Sequence, residues 1–306
     1  MYTYGPVPSR RLGKSIGVSP IPAKTCSYSC VYCQLGRTDK FTTERQSFFD
    51  PQKILSELKD RVSNSDADYI TFVGDGEPTL NKDLGWLIDQ SKQNFDSPVA
   101  VITNGSLLYR KDVQDDLKNA DLVMPSIDAG QESTFRKVNR PHKNLDFQTV
   151  VQGIIDFSNN FKGQVWTESM LVKGYNDSKE ELQRIKDIIE KIKPDKSFIM
   201  SPTRPPAEDV DPPEPAVYLY AQKLISGSQA IAYQETGDFN IKKYKNARQA
   251  INEITSRHPL RKEQADWIAE QFDELEQLKN LIDKGEFFIK HYSGLDYILP
   301  QKLFKR

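Results

Sequence analysis

From Ser15 to Ser201 the chain repeats one pattern, and that pattern limits its fold more than any other feature. Short apolar runs bounded by turn residues alternate with longer stretches of helical period. S-I-G-V-S-P-I, Y-I-T-F-V-G, P-V-A-V-I-T-N-G, D-L-V-M-P-S-I-D, V-W-T-E-S-M-L-V and S-F-I-M-S read as strands. Between them lie helical segments, the first being P-Q-K-I-L-S-E-L-K-D-R-V with Pro51 near its first turn. The others centre on K-D-L-G-W-L-I-D-Q, D-V-Q-D-D-L-K, F-Q-T-V-V-Q-G-I-I-D-F and S-K-E-E-L-Q-R-I-K-D-I-I-E-K-I. Six such alternations imply parallel strands joined by right-handed crossovers and buried on both faces. An open doubly wound sheet or a barrel would satisfy the pattern.

The alternation stops at T-R-P-P-A-E-D-V-D-P-P-E-P, residues 203–215, which can continue neither a helix nor a central strand. A helix near A-V-Y-L-Y-A-Q-K-L-I and the segment I-A-Y-Q-E-T-G-D-F, residues 231–239, follow. Beyond them A-R-Q-A-I-N-E-I-T-S-R-H, K-E-Q-A-D-W-I-A-E-Q-F and E-L-E-Q-L-K-N-L-I-D-K-G read as three helices. E-F-F-I-K-H-Y-S-G-L-D-Y-I-L reads as a hairpin turning at Ser293-Gly294. The expected division is an α/β domain over 1–203, a Pro-rich connecting segment over 204–243 and a small winged-helix-like domain over 244–306.

The chemistry concentrates in one loop. All three cysteines of the 306 residues, Cys26, Cys30 and Cys33, fall in T-C-S-Y-S-C-V-Y-C. A structural zinc site needs four ligands, and the nearest histidine, His142, is far along the chain. A disulfide would leave one thiol over, and with no N-terminal run resembling a signal peptide a reducing cytoplasmic compartment is expected. Three thiolates on a [4Fe-4S] cluster leave one iron open for a further ligand.

The spacing C-x3-C-x2-C, with the aromatic Tyr32 before the last Cys, resembles the signature loop of the radical S-adenosylmethionine (radical SAM) superfamily. The run G-P-V-P-S-R-R-L-G-K-S-I-G-V-S-P-I-P-A-K-T-C resembles a narrower branch of it, related to the archaeal enzymes that build the tricyclic wyosine base of tRNA. Those relatives carry further cysteines for a second cluster, which this chain lacks. The resemblance implies a partial (β/α)6 barrel with chemistry at the carboxyl ends of its strands. It also implies a cluster held by Cys26, Cys30 and Cys33, and SAM bound at the open iron and cleaved reductively to give a hydrogen-abstracting 5′-deoxyadenosyl radical. A low-potential ferredoxin or flavodoxin would supply the electron. The substrate could be an RNA base, a protein or a small molecule.

G-D-G-E-P-T, residues 74–79, resembles the superfamily's G-G-E motif, with Asp75 in place of the middle glycine. Gly76 offers close backbone approach, and Glu77 an acceptor for the SAM ammonium. Asn104, Ser126 and Asp128 end strands, where related enzymes hold the SAM carboxylate or ribose; helix capping is the competing reading. Glu168 is an acid inside a buried strand, expected either to contact SAM or substrate or to pair with an arginine. Met200 is expected in the core, Arg10 and Arg11 on the surface, and His142, His258 and His291 in structural roles.

A net charge of −1 and a sequence pI near 6.4 carry no global nucleic-acid footprint. Mean hydropathy is −0.62, and no apolar run approaches the roughly 20 residues a membrane helix needs. A non-catalytic iron–sulfur regulator carrying a winged-helix module is the rival expectation, although acids in E-Q-F-D-E-L-E-Q-L-K would repel DNA phosphates.

Overall fold

The computed structural model describes residues 1–306 except Arg10, Ala207, 226–227, 231–240, 242–243, 256–258 and 302–306. Arg10, His258 and the segment 231–239 therefore lie outside the described residues. The chain opens with strands β1 (Thr3–Ser9), β2 (Gly13–Val18), β3 (Thr25–Cys26) and β4 (Lys40–Phe41). Alternation then proceeds through α1 (Pro51–Val62), β5 (Tyr69–Phe72), α2 (Leu84–Asn94), β6 (Val99–Thr103), α3 (Lys111–Leu117) and β7 (Leu122–Pro125). It ends with α4 (Glu132–Val138), α5 (Phe147–Asn160), β8 (Gln164–Met170), α6 (Lys179–Ile192), β9 (Lys196–Met200), α7 (Pro215–Leu224) and β10 (Ser228–Ala230).

Eight of these strands form one sheet in the order β1-β2-β5-β6-β7-β8-β9-β10. Only β1 runs antiparallel to its neighbour; the other pairs are parallel. The order never reverses, whereas a doubly wound sheet reverses once. Right-handed crossovers that all advance in the same direction place their helices on one face. Residue alternation along the strands agrees. Ile16, Val18, Ile70, Phe72, Val99, Val101, Val123, Val165 and Ile199 enter the large core beneath the helices. Their neighbours Ala100, Leu122, Met124, Trp166, Phe198 and Met200 form a second cluster on the opposite, inner face, with Leu12.

Two strands of the large sheet were not expected from the sequence. β1 contains G-P-V-P, which reads as a turn, but proline is tolerated on an edge strand because it need not donate to a neighbour. β10 has three residues, too few for a periodic signal. Helix ends follow ordinary chemistry. Asp50 accepts from the Gln52 N–H ahead of Pro51, and Ser178 accepts from the Glu181 N–H at the start of α6.

The remaining elements are α8 (Ala247–Thr255), β11 (Leu260–Arg261), α9 (Lys262–Gln271), α10 (Leu275–Asp283), β12 (Phe287–Tyr292) and β13 (Leu295–Pro300). The three strands pair antiparallel in the order β11-β13-β12. The helices close over them around Ile251, Leu260, Ile268, Leu278, Phe287 and Ile298, a core separate from that of the large sheet. Ser293 and Gly294 both adopt positive φ, as a two-residue type I′ hairpin turn requires.

The described residues of 203–206 and 208–215 are folded onto the protein rather than open, an arrangement that proline content alone does not reveal. Lys173 N–H donates to the Asp211 carbonyl at 3.0 Å, and Val210 is buried with Val31 and Val172.

Helix α5 approaches the backbone of residue 109 so closely that a Cβ on Gly153 would lie 2.5 Å from the Tyr109 nitrogen. Gly153→Ala is expected to lower stability by about 1–3 kcal/mol in chemical denaturation, against less than about 0.5 kcal/mol for Gln152→Ala on the exposed face.

Candidate active site

The cysteine loop crosses the carboxyl ends of the strands, tied at every turn by backbone hydrogen bonds. Glu77 N–H donates to the Thr25 carbonyl at 3.0 Å, and Thr42 N–H to the Cys26 carbonyl at 3.1 Å. His142 N–H donates to the Ser27 carbonyl at 2.8 Å, and Val31 N–H to the Val138 carbonyl at 2.9 Å. Residues 24–26 thus run beside 75–77, with an isolated parallel bridge between Thr25 and Gly76. A Cβ on Gly76 would sit 1.9 Å from the Thr25 carbonyl oxygen, so only glycine lets the two segments approach this closely.

All three cysteines line one cavity of about 330 Å³. They are free thiols. Among the described residues no three His, Cys, Asp or Glu side chains close on the point a single ion would occupy. Burial, reinforced by Glu77, pushes the Cys26 thiol up to about 12. Burial also raises Cys30, with Asp128 adding to it, and Cys33. Thiols shifted upward in this way would stay protonated at neutral pH on their own, and a strongly cationic group must displace those protons before thiolates form. Three sulfurs around a cavity of this size, facing polar strand ends, suit a multi-iron cluster with one open iron.

Gly76, Tyr32, Ser126, Asp128 and Glu168, all singled out in the sequence, also line the cavity. Asp128 is almost wholly buried. It accepts from the Tyr32 hydroxyl, from Asn139 Nδ2 at 2.7 Å and from Met170 N–H at 2.9 Å. Burial raises Asp128 while these three donors oppose the shift, and burial with the Asp128 charge raises Tyr32. Asn139 Nδ2 also lies 3.6 Å from the Cys30 sulfur, so one amide links the carboxylate to the cysteine loop.

Glu168 pairs with Arg11 through a direct hydrogen bond, and Arg11 Nη1 also lies 3.3 Å from the Met200 sulfur. The surface expectation for Arg11 is therefore corrected. Its side chain is 18% exposed, and it lines the cavity because Glu168 draws it inward from the turn between β1 and β2. Met200 joins the inner-face cluster and lines the cavity as well.

Glu77 and Asn104 sit behind the cavity rather than in its wall. The Glu77 carboxylate is buried and accepts from Thr79 N–H, Thr79 Oγ1, Thr103 Oγ1 and Asn104 N–H, all within 3.0 Å. Burial raises Glu77 against these donors. Asn104 Oδ1 accepts from Ser106 N–H, the capping expected of a strand end, while Nδ2 donates to Ser27 Oγ at 2.9 Å and lies 3.5 Å from Cys26 Sγ. Both residues support the cysteine loop from beneath.

Lys24, Asn139 and Arg204 were missed in the sequence. Lys24 and Arg204 line the cavity, and Arg204 Nη1 donates to Gln34 Oε1 at 2.9 Å. Each lies in a segment without periodicity, and only Lys24, two residues before Cys26, had proximity to signal it. His142 packs edge-on against Phe41 and His291 hydrogen-bonds Asp296, consistent with structural roles. Replacing Gly76 with alanine is expected to weaken iron retention after anaerobic reconstitution by about tenfold, measured as iron and sulfide per chain during chelator challenge.

Comparison with known proteins agrees with this geometry. The sequence profile of the radical SAM superfamily matches residues 21–186, which hold the cysteine loop, Gly76 and Glu77, and strands β5 to β8. A UPF0026 protein of Methanocaldococcus jannaschii is 36% identical over 301 residues, covering 95% of this chain and 93% of its own. A protein named GTPase Obg from Brachyspira hyodysenteriae is 50% identical over 202 residues, 66% of this chain, which spans only 30% of that relative's length. Among solved structures, a radical SAM methyltransferase from Sphaerobacter thermophilus shares the fold at a TM-score of 0.57 and 12% identity, over 74% of this chain and 67% of its own. The α/β fold with its mostly parallel sheet resembles that of radical SAM enzymes, and the chain belongs to the radical SAM superfamily and, within it, to the UPF0026 family.

Proposed function

We propose that this protein reductively cleaves SAM at a [4Fe-4S] cluster held by Cys26, Cys30 and Cys33, and uses the resulting radical to take a hydrogen atom from a substrate. Superfamily membership implies SAM-cleavage chemistry. The observation that carries the reading is the set of three half-buried thiols lining one cavity together with polar groups from strand ends. When bound, the cluster and SAM supply one-electron cleavage of a sulfonium carbon–sulfur bond, giving methionine and a 5′-deoxyadenosyl radical.

The chain's own residues bind, orient and exclude water. Gly74 and Gly76 bring bare backbone to the cavity beside the thiols, where a ligand's amino and carboxylate groups could be held. Tyr32, fixed by Asp128, presents its ring, while Ser126 offers a hydroxyl. Arg11, Glu168 and Met200 also line the cavity, and we assign them to the substrate. Glu77 and Asn104 act through the cysteine loop.

The reading requires a low-potential one-electron donor, a ferredoxin or flavodoxin. It describes 1–203 as a partial (β/α)6 barrel, 204–243 as the connection and 244–306 as a winged-helix-like domain. In that domain Glu270 at the end of α9 and Asp273, Glu274 and Glu276 at the start of α10 would repel phosphate, so a protein or small-molecule substrate fits better than RNA. The wall facing the thiols favours an enzyme over a non-catalytic iron–sulfur regulator, which needs no ligand pocket. Among the described residues no helix is long and apolar enough to cross a membrane.

Anaerobically reconstituted protein given dithionite and SAM is expected to form 5′-deoxyadenosine, measured by chromatography and mass spectrometry. Cys30→Ala is expected to form none above background; equal formation by both proteins would refute the reading. Asp128→Asn replaces an acceptor of three donors with an amide that must turn an N–H toward one of them. Its expected loss is about ten- to a hundredfold in 5′-deoxyadenosine rate.

A further inference from the structure

The segments 201–206 and 208–215 have two faces, and each is tied to something different. On their inner face Ser201, Pro202, Thr203 and Arg204 line the cavity. Further along, Glu208 N–H donates to the Val31 carbonyl at 3.1 Å, between Cys30 and Tyr32. The Glu208 carboxylate pairs with Arg37 at 2.7 Å, just after the cysteines, and with Arg140 at 2.8 Å, next to Asn139. On their outer face the ties come from the C-terminal hairpin. Tyr297 Oη donates to the Thr203 carbonyl at 2.6 Å, and Tyr292 Oη lies 3.2 Å from the Val210 carbonyl and 3.4 Å from that of Pro202. Both tyrosines are buried.

We infer that Tyr292 and Tyr297 are positioning residues for the cavity: through the strap formed by 201–206 and 208–211, the C-terminal hairpin sets one wall of the site and the seat of the cysteine loop. A proline-rich strap lacks the ladder hydrogen bonds that hold a strand in register, so its carbonyls need outside donors. The hairpin supplies them from a rigid frame, since Tyr292 flanks the type I′ turn and Tyr297 lies in the central strand of the three. The C-terminal unit is thereby part of the active site, although none of its described residues lines the cavity.

The inference rests on the proposed function for the identity of the bound ligand but not for its first measurement. Tyr292→Phe, Tyr297→Phe and the double variant keep both rings and remove only hydroxyls; Trp267→Ala, exposed on the same unit, is the control. Hydrogen exchange of the full-length apoprotein is expected to quicken about fivefold per variant at the amides of 208–211, the size of one net hydrogen bond, with melting temperature and exchange in α8 to α10 unchanged. After reconstitution, the KM for SAM is expected to rise about fivefold, more than kcat falls. Unchanged strap exchange in a folded double variant overturns the inference. So does faster exchange with an unchanged KM. A wild-type protein that binds no SAM would refute the proposed function, and strap exchange would then decide the positioning role by itself.

Discussion

The contact on which the site depends is the backbone apposition of Thr25 and Gly76. Where these segments meet, the second motif of the chain is pressed against the first cysteine with no room for a side chain between them. Glu77 then turns away from the cavity and accepts four hydrogen bonds from residues 79, 103 and 104, drawing the ends of β5 and β6 together under the loop. A buried carboxylate is costly unless its lone pairs are filled, and here they are. Its value is structural: it converts two strand ends into a platform on which Asn104 and Ser27 seat the loop.

From that platform the rest of the cavity follows. Asp128, one strand further along the sheet than Asn104, gathers Tyr32, Asn139 and the Met170 backbone, and Asn139 reaches back toward Cys30. Glu168, on the next strand, holds Arg11 against the inner face of the sheet. The ends of β5 and β6 thus supply the support beneath the loop, and Asp128 and Glu168, from the next two strands, supply polar groups to the wall. A singly wound parallel sheet delivers this naturally, because all of its carboxyl ends face the same side. The strap adds the last wall and links it to a unit with its own core.

Much of this was legible in the sequence. Parallel strands covered on both faces read as apolar runs, and among the helices between them α1, α5 and α6 carry side-chain caps as well as helical period, so the alternation was plain. The cysteine loop announced itself by spacing alone. Pairings set by tertiary distance were not legible. Arg11 and Glu168 are 157 residues apart, and nothing local distinguishes an arginine drawn inward from one on the surface. Proline in 203–215 signalled a break in regular structure but not that the segment folds back over the loop, because its anchors are single residues from remote elements. Glu77 shows the converse limit. Its motif was recognisable, yet whether its oxygens face a ligand or the protein's own donors is decided by Thr79 and Thr103, which look unremarkable in sequence.

The proposed chemistry depends on three thiols holding a cluster with one iron left open toward this cavity. Electron paramagnetic resonance of the reconstituted, dithionite-reduced protein, recorded with and without SAM, tests it most directly. A reduced [4Fe-4S] signal that shifts when SAM is added is expected, because the ligand completes the open iron. A cluster signal identical in the presence and absence of saturating SAM would contradict it.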